Sequence, residues 1–290
     1  MKRTGSLFVA AMLSFIGFFI QPTDGQAWHG GKMATVRVMT FNIHAGIGSD
    51  GQYDIARIAD AITQADADVV GLEEVDVHWG ERSAYEDEVK RLAERLHMHA
   101  FFAPIYTLAP DRAGQQPRQY GLAVLSRYPI VRAENHLITR LSIQTPDPVP
   151  EPAPGFPELL INIKGIKLSF YATHLDYRAD PTVRARQVQD ILTIMAQNPN
   201  PRKILVGDMN AEPDAPELAP LYQKLKDAWL IHGEDPGKTY PVLQPEKRID
   251  QILTAPMLAV RSAFRLDTLA SDHLPVVADV VLTRGNPFSH

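Results

Sequence analysis

Apolar positions along the chain recur with two periods. From residue 35 to 43, TVRVMTFNI alternates sides as a strand does. Ile55, Ile58, Ala59 and Ile62 follow at helical spacing, and ADVVGLEEV (67–75) then reads as a buried strand. Val89, Leu92 and Leu96 mark a second helix. GLAVLSR (121–127), ELLINI (158–163) and IKLSFYATHL (166–175) give further strands. Val188, Ile191, Leu192 and Met195 line one face of a third helix. RKILVGD, RIDQILT, LAVRSAFRL and PVVADVVLT complete the strand set.

Helices interleave with strands, yet several strands follow one another through short links. That order predicts a layered α/β sandwich rather than a strictly parallel sheet. No internal repeat or linker divides residues 28–290, which are expected to form a single domain. One stretch is compositionally biased: TPDPVPEPAPGFP (145–157) carries prolines at 146, 148, 150, 152, 154 and 157. It is expected to be a stiff, extended excursion, either a surface loop joining two strands or a flap over a substrate cleft.

Composition narrows the classes. A chain of 290 residues with 45% hydrophobic content can fill a sizeable core. It has no cysteine, which excludes disulfides, thiolate metal sites and cysteine nucleophiles. Lys2 and Arg3 precede an apolar run from Leu7 to Ile20, then Gln21-Pro22, and GQA (25–27) supplies small residues for cleavage. As a helix the apolar run spans about 21 Å, short of a bilayer core of about 30 Å, so a cleaved signal peptide is expected rather than an anchor. The mature chain is then expected to be secreted or periplasmic. Removal of residues 1–27 takes two of 29 basic and one of 34 acidic residues, leaving 27 against 33 and a net charge of −6. That balance disfavours a non-specific nucleic-acid binder, which usually presents a basic face.

Polar residues cluster where the predicted strands stop. Asn42 follows VMTF; Glu73 and Glu74 follow VVGL; His174 ends FYATHL; Asp208 and Asn210 lie in LVGDMN; Asp250 lies in RIDQI; and Asp272-His273 precede the last strand. Singly, each is an ordinary turn residue, since Asn and Asp bond the local backbone after strands. Together they form an oxygen-rich set suited to a hard cation such as Mg²⁺ or Mn²⁺. No H-E-x-x-H, Walker A or dinucleotide glycine fingerprint competes with that reading.

In chain order, MTFNIH, GLEEV, YGLAVLSRYPI, ATHLD, VGDMNAEPDAPE, RIDQIL and SDHLPV resemble the endonuclease/exonuclease/phosphatase family of metal-dependent phosphodiesterases. The resemblance covers essentially the whole mature chain. It implies a four-layer α/β/β/α sandwich of two packed mixed sheets flanked by helices. It also implies that Glu74 is the principal metal carboxylate, with Asn42 beside it and Asp272 completing the metal side. Asp208 would orient or deprotonate the attacking water, and Asn210 would hold the phosphate or that water. His273, steered by Asp250, would contact the phosphate or move a proton, and His174 would bind a non-bridging oxygen.

Several positions depart from the family pattern. His44 stands where relatives carry an acid, Gln251 where an aromatic is frequent, and Glu73 where glutamine is usual. Strand alternation points Glu73 away from the face that Glu74 serves. Asp176 is either a support for the site or a turn residue. Arg82, Arg127, Arg178 and Arg184 are candidates for substrate phosphate, against the ordinary reading of solvated arginines. The expected activity is a divalent-metal-dependent phosphodiesterase acting as a monomer. Nucleic acid, a phospholipid head group and a small diester all stay open as substrates, beside a non-catalytic scaffold of the same fold.

Overall fold

The computed structural model describes residues 33–284, Arg112 excepted; the expected signal peptide and its cleavage point lie outside the described residues. In the first half, β1 (Met33–Asn42) leads through α1 (Ile55–Ala65) to β2 (Val69–Val77), and α2 (Glu88–Leu96) precedes β3 (His99–Leu108) and β4 (Arg118–Ser126). The second half runs β5 (Ile130–Arg140), β6 (Glu151–Ile163), β7 (Ile166–His174), α3 (Thr182–Gln197) and β8 (Lys203–Asp208). Two short helices, α4 (Ala219–Tyr222) and α5 (Ala228–His232), flank β9 (Lys226–Asp227), and β10 (Asp250–Thr254), β11 (Ala259–Arg265) and β12 (Val276–Thr283) close the fold.

These strands form two six-stranded sheets, ordered β11-β12-β1-β2-β4-β3 and β5-β6-β7-β8-β10-β9. Each holds one parallel pair, β1 with β2 and β7 with β8, because each pair is joined by a crossover helix. Capping starts α1 and α2: Asp54 accepts from the Ala56 N–H and Asp87 from the Lys90 N–H. A two-residue turn at Lys164-Gly165, both with positive φ, joins β6 to β7 as a hairpin requires.

Strand parity distributes the apolar side chains. Val36 and Val38 of β1, Leu168 and Phe170 of β7, and Ile204 and Val206 of β8 meet between the sheets. Met39, Phe41 and Leu72 face α1 and α2, whereas Tyr171, Leu205 and Leu253 face α3. Each fully buried large side chain contributes about 1.5–3 kcal/mol. The result is the four-layer α/β/β/α sandwich. Gly71 marks a close approach of the two sheets, for a Cβ there would lie 2.5 Å from Val206 Cγ2.

One expectation changes. Residues 151–157 of the proline-rich stretch are the first half of β6, paired with β5, and only 145–150 remain loop. Pairing of β6 with β7 begins at Glu158, so the proline-bearing half has a neighbour on one side only, where missing N–H donors cost little. Strands β3, β5 and β9 had no clear sequence signal. Among the described residues, no helix is long and apolar enough to cross a membrane.

Candidate active site

The parity that builds the core also builds the site. Asn42 continues the Val36–Val38 face of β1, His174 the Phe170–Ala172 face of β7, Asp208 the Ile204–Val206 face of β8, and Asp250 the Ile252 face of β10. Pairing brings the strand ends level: His174 and Asp250 both sit opposite Asp208. The four polar groups therefore lie at one edge of the space between the sheets, where the apolar filling stops.

Glu74 reaches that edge by a different device. The ladder between β2 and β4 shifts register between Leu72 and Val75, and Glu74 takes φ 57°. This bulge adds a residue, so Val75 resumes the outward face and Glu74 turns into the site. Its Oε1 accepts from Asn42 Nδ2 at 3.1 Å. Glu73 keeps the inter-sheet parity of Gly71 and lies fully buried, accepting from the Thr40 hydroxyl at 3.1 Å. The two glutamates thus point differently, as alternation implies, yet Glu73 lies beneath the site instead of on the outer face. Burial, then the charges of Asp250 and Asp208, push its carboxyl well above the usual range.

Asp208 is the hub. Its Oδ2 accepts from Asn42 Nδ2 at 3.1 Å and lies 3.6 Å from His174 Nε2 and 3.8 Å from His273 Nε2. Its Oδ1 accepts from the Asn210 N–H at 2.8 Å. Burial, with the charge of Asp250, raises its pKa, while His273 and His174 pull it back. His273 holds Asp250 Oδ2 through Nδ1 at 2.9 Å and lies against the Tyr240 ring, centroids 4.6 Å apart. Burial opposes its charge, but the charge and hydrogen bond of Asp250, joined by Asp208 and Asp272, carry its pKa up to about 10. The imidazole is consequently protonated at neutral pH, with Nε2 as its free donor.

Asp272 lines the same cavity, its Oδ1 3.7 Å from His44 Nδ1. The His44 departure thus places an imidazole against this carboxylate. Ser271 fixes the loop by donating to the Asn42 carbonyl at 2.7 Å. Ligand atoms of Asp208, Asp250 and His273 also lie within 4.8 Å of one another, but the short Asp250–His273 hydrogen bond already occupies two of them. Glu74 and Asp272, with Asn42 bonded to Glu74, form a set better suited to a cation. The two carboxylates line one cavity, and neither forms an ion pair with lysine or arginine among the described residues.

These groups line a cavity of about 710 Å³ that also takes in Trp79, Arg82, Tyr120, Tyr177, Asn210 and Lys247. A separate cavity of about 580 Å³, beside the loop before β12, contains none of the polar strand-end groups. The aromatic wall was not read from the sequence. Trp79, Tyr106 and Tyr120 come together from β3, β4 and the turn after β2, with Arg82 5.6 Å above the Tyr120 ring. Their separations in sequence carry no periodic signal.

The four arginines part company. Arg82 lines the cavity while its guanidinium grips the buried Asp76 at 2.7 and 2.8 Å. Arg178 pairs with Asp176 and lines an adjoining side cavity. Arg127 is a correction: it follows β4 at the opposite edge, beside the start of β2, and binds Asp66 at 2.7 Å. Arg184 is another. It is buried on α3, pairs with Glu217 at 2.7 Å and donates to the carbonyls of Asp176 and Arg178, bracing the turn after β7. Asp176 anchors that same turn by accepting from the Arg178 N–H. Gln251 faces the helical layer and accepts from the Tyr222 hydroxyl.

Comparison with known proteins agrees with this architecture. The sequence profile of the endonuclease/exonuclease/phosphatase family matches residues 39–273, and the chain belongs to that family. It therefore has the fold of a group of hydrolases acting on phosphoester bonds. The chain is 28% identical over 216 residues to protein cwh43 of Schizosaccharomyces pombe, a match covering 72% of this chain and 20% of that protein. A family structure from Beutenbergia cavernae superposes with TM-score 0.70 at 25% identity, covering 88% of this chain and 73% of the other. A mannosyl-6-phosphatase from Bacteroides thetaiotaomicron shares the fold at TM-score 0.61 and 19% identity, over 85% of this chain and all of that one.

Proposed function

We propose that this chain hydrolyses phosphodiesters with water as nucleophile and Mg²⁺ or Mn²⁺ as cofactor. The observation that carries the reading is the setting of Asp208, a buried carboxylate with Asn42, His174 and His273 converging on one oxygen. Such a carboxylate is suited to accept the proton of an attacking water. His273, held in one orientation by Asp250, keeps Nε2–H for a phosphoryl oxygen, and His174 offers a second contact from the facing strand. Asn210, whose amide donates to the Leu175 carbonyl, is fixed at the cavity wall beside them to meet the phosphate or the water.

Asn42, Glu74 and Asp272 are the residues that would hold the cation. When bound, it neutralises charge on the phosphoryl oxygens. The cavity volume favours a small diester or a single head group over a duplex. The basic and apolar segment at residues 2–20 supports export, and we place the active protein outside the cytoplasm as a monomer.

The test is turnover of bis(p-nitrophenyl) phosphate by the purified chain with Mn²⁺, with DNA, RNA, sphingomyelin and phosphoinositides run in parallel. EDTA should abolish it. His273→Ala and Asp208→Ala should each lower kcat on the order of 1,000-fold. Undiminished turnover in either variant would overturn these roles.

A further inference from the structure

Three arginines are buried among the described residues: Arg140, Arg184 and Arg248. Arg184 pairs with Glu217 and Arg248 with Asp227, each at 2.7 Å. Arg140 has no carboxylate partner. Its guanidinium donates to three backbone carbonyls instead: Pro154 at 2.9 Å, Gly155 at 2.8 Å and His174 at 3.3 Å. Carbonyl dipoles satisfy its hydrogens without cancelling its charge, and a buried charge lacking a counter-ion is costly. Burial brings its pKa down to about 10, so the group is still a cation at neutral pH. The chain makes room for it at Gly155, which has φ +113° and where a Cβ would stand 2.9 Å from Arg140 Nη2.

Arg140 lines a side cavity of about 80 Å³, together with Tyr106, Asp176 and Arg178. Tyr120, Ile143, His174 and Tyr177 line both this cavity and the catalytic one, so the two adjoin. Arg178 and Asp176 also line the side cavity and pair with each other, which leaves the Arg140 guanidinium without a hydrogen-bonded carboxylate. The side cavity is far smaller than the catalytic one and suits a compact anion.

We infer that this side cavity is a subsite for a second anionic group, a phosphate or a carboxylate, carried by the alcohol portion of the substrate. The inference rests on the phosphodiesterase reading and deepens it. Arg140, which has no carboxylate partner, supplies the positive charge that such a group would meet. The catalytic floor is acidic, with Glu74, Asp208 and Asp272, so a general field would instead favour a cationic substituent. The two readings therefore predict opposite selectivities.

The experiment uses three p-nitrophenyl phosphodiesters whose second alcohol ends in a carboxylate, a methyl group or a trimethylammonium. With Mn²⁺, the wild-type kcat/KM should rank them in that order, with about tenfold between the first two, chiefly through KM. Calorimetric titration of the same esters in EDTA should give the same order, which reads the subsite even if none of the three is hydrolysed. Arg140→Gln should collapse the anionic-to-methyl ratio toward one, and Arg140→Lys should retain part of it. Because Arg140 bonds three carbonyls, the wild-type order, which needs no variant, guards against a folding defect. A flat or reversed wild-type order in both assays overturns the subsite. So does an equal fall in kcat for all three esters in Arg140→Lys with the ratio intact, since that pattern means Arg140 only positions His174.

Discussion

Asn42 on β1 donates to Asp208 on β8 at 3.1 Å, across the gap between two sheets and 166 positions of sequence. The same amide donates to Glu74 at 3.1 Å, so one side chain links the two carboxylates Glu74 and Asp208. This bond exists because both residues continue the inter-sheet parity of their strands to the same edge. Where valine and isoleucine fill the sandwich lower down, Asn42 and Asp208 meet above them.

Asp250 acts through His273, which it grips at 2.9 Å. Asp250→Asn keeps the shape but lets the imidazole take the wrong tautomer and lose its charge. Steady-state kinetics should show kcat reduced on the order of 100-fold or more with KM little changed. Full activity would remove Asp250 from its assigned role.

The two adjacent glutamates should separate cleanly. Glu74→Gln should weaken Mn²⁺ binding by about 10–100-fold in a calorimetric titration. Glu73→Gln keeps the shape of a buried side chain that lies beneath the site, bonded to Thr40, and should leave the affinity within a few-fold. Equal effects would mean that the bulge does not divide their roles.

Arg184 and Arg127 should behave oppositely to a substrate-binding pair. Arg184→Ala leaves Glu217 buried without its partner and should cost about 3 kcal/mol in denaturant unfolding. Arg127→Ala removes an exposed ion pair at the far edge and should change stability by less than about 1 kcal/mol, with turnover unaltered.

Glu88 supplies a pH signature away from the site. It is buried, accepting from the Asp76 N–H at 2.8 Å, while its Oε1 has no partner. Burial, then the charge of Asp76, raises its pKa well above the usual carboxylate value. A carboxyl whose folded pKa is raised favours the native state while protonated, and that contribution is lost as pH climbs from the unfolded pKa toward the folded one. Glu88→Gln should therefore raise Tm at pH 8 by more than at pH 5. An identical shift at both pH values would mean that Glu88 is ionised in the native protein.

The sequence carried the ends of the strands more faithfully than their number. β1, β2, β4, β7, β8, β10 and β12 were legible because each is buried and reads as a β-branched or alternating run. β5 was hidden because nine of its eleven positions are at least partly exposed and several are charged, as befits a sheet edge. The proline-bearing half of β6 reads in sequence as a stiff loop or flap, and the structure pairs it with one neighbour only, where missing donors cost little.

By itself, the sequence determined which faces are apolar, which residues stop the strands, and hence the kinds of group available at the strand ends. Those features are local, since alternation and turn chemistry act over a few residues. Only the tertiary structure decided which of those groups meet. The β2 bulge turned Glu74 inward and the facing sheet brought Asp208 to Asn42. The end of β5 buried Arg140 without a counter-ion. Each depends on pairing between segments far apart in the chain, and the spacing of residues along one strand holds no record of its neighbour in the other sheet.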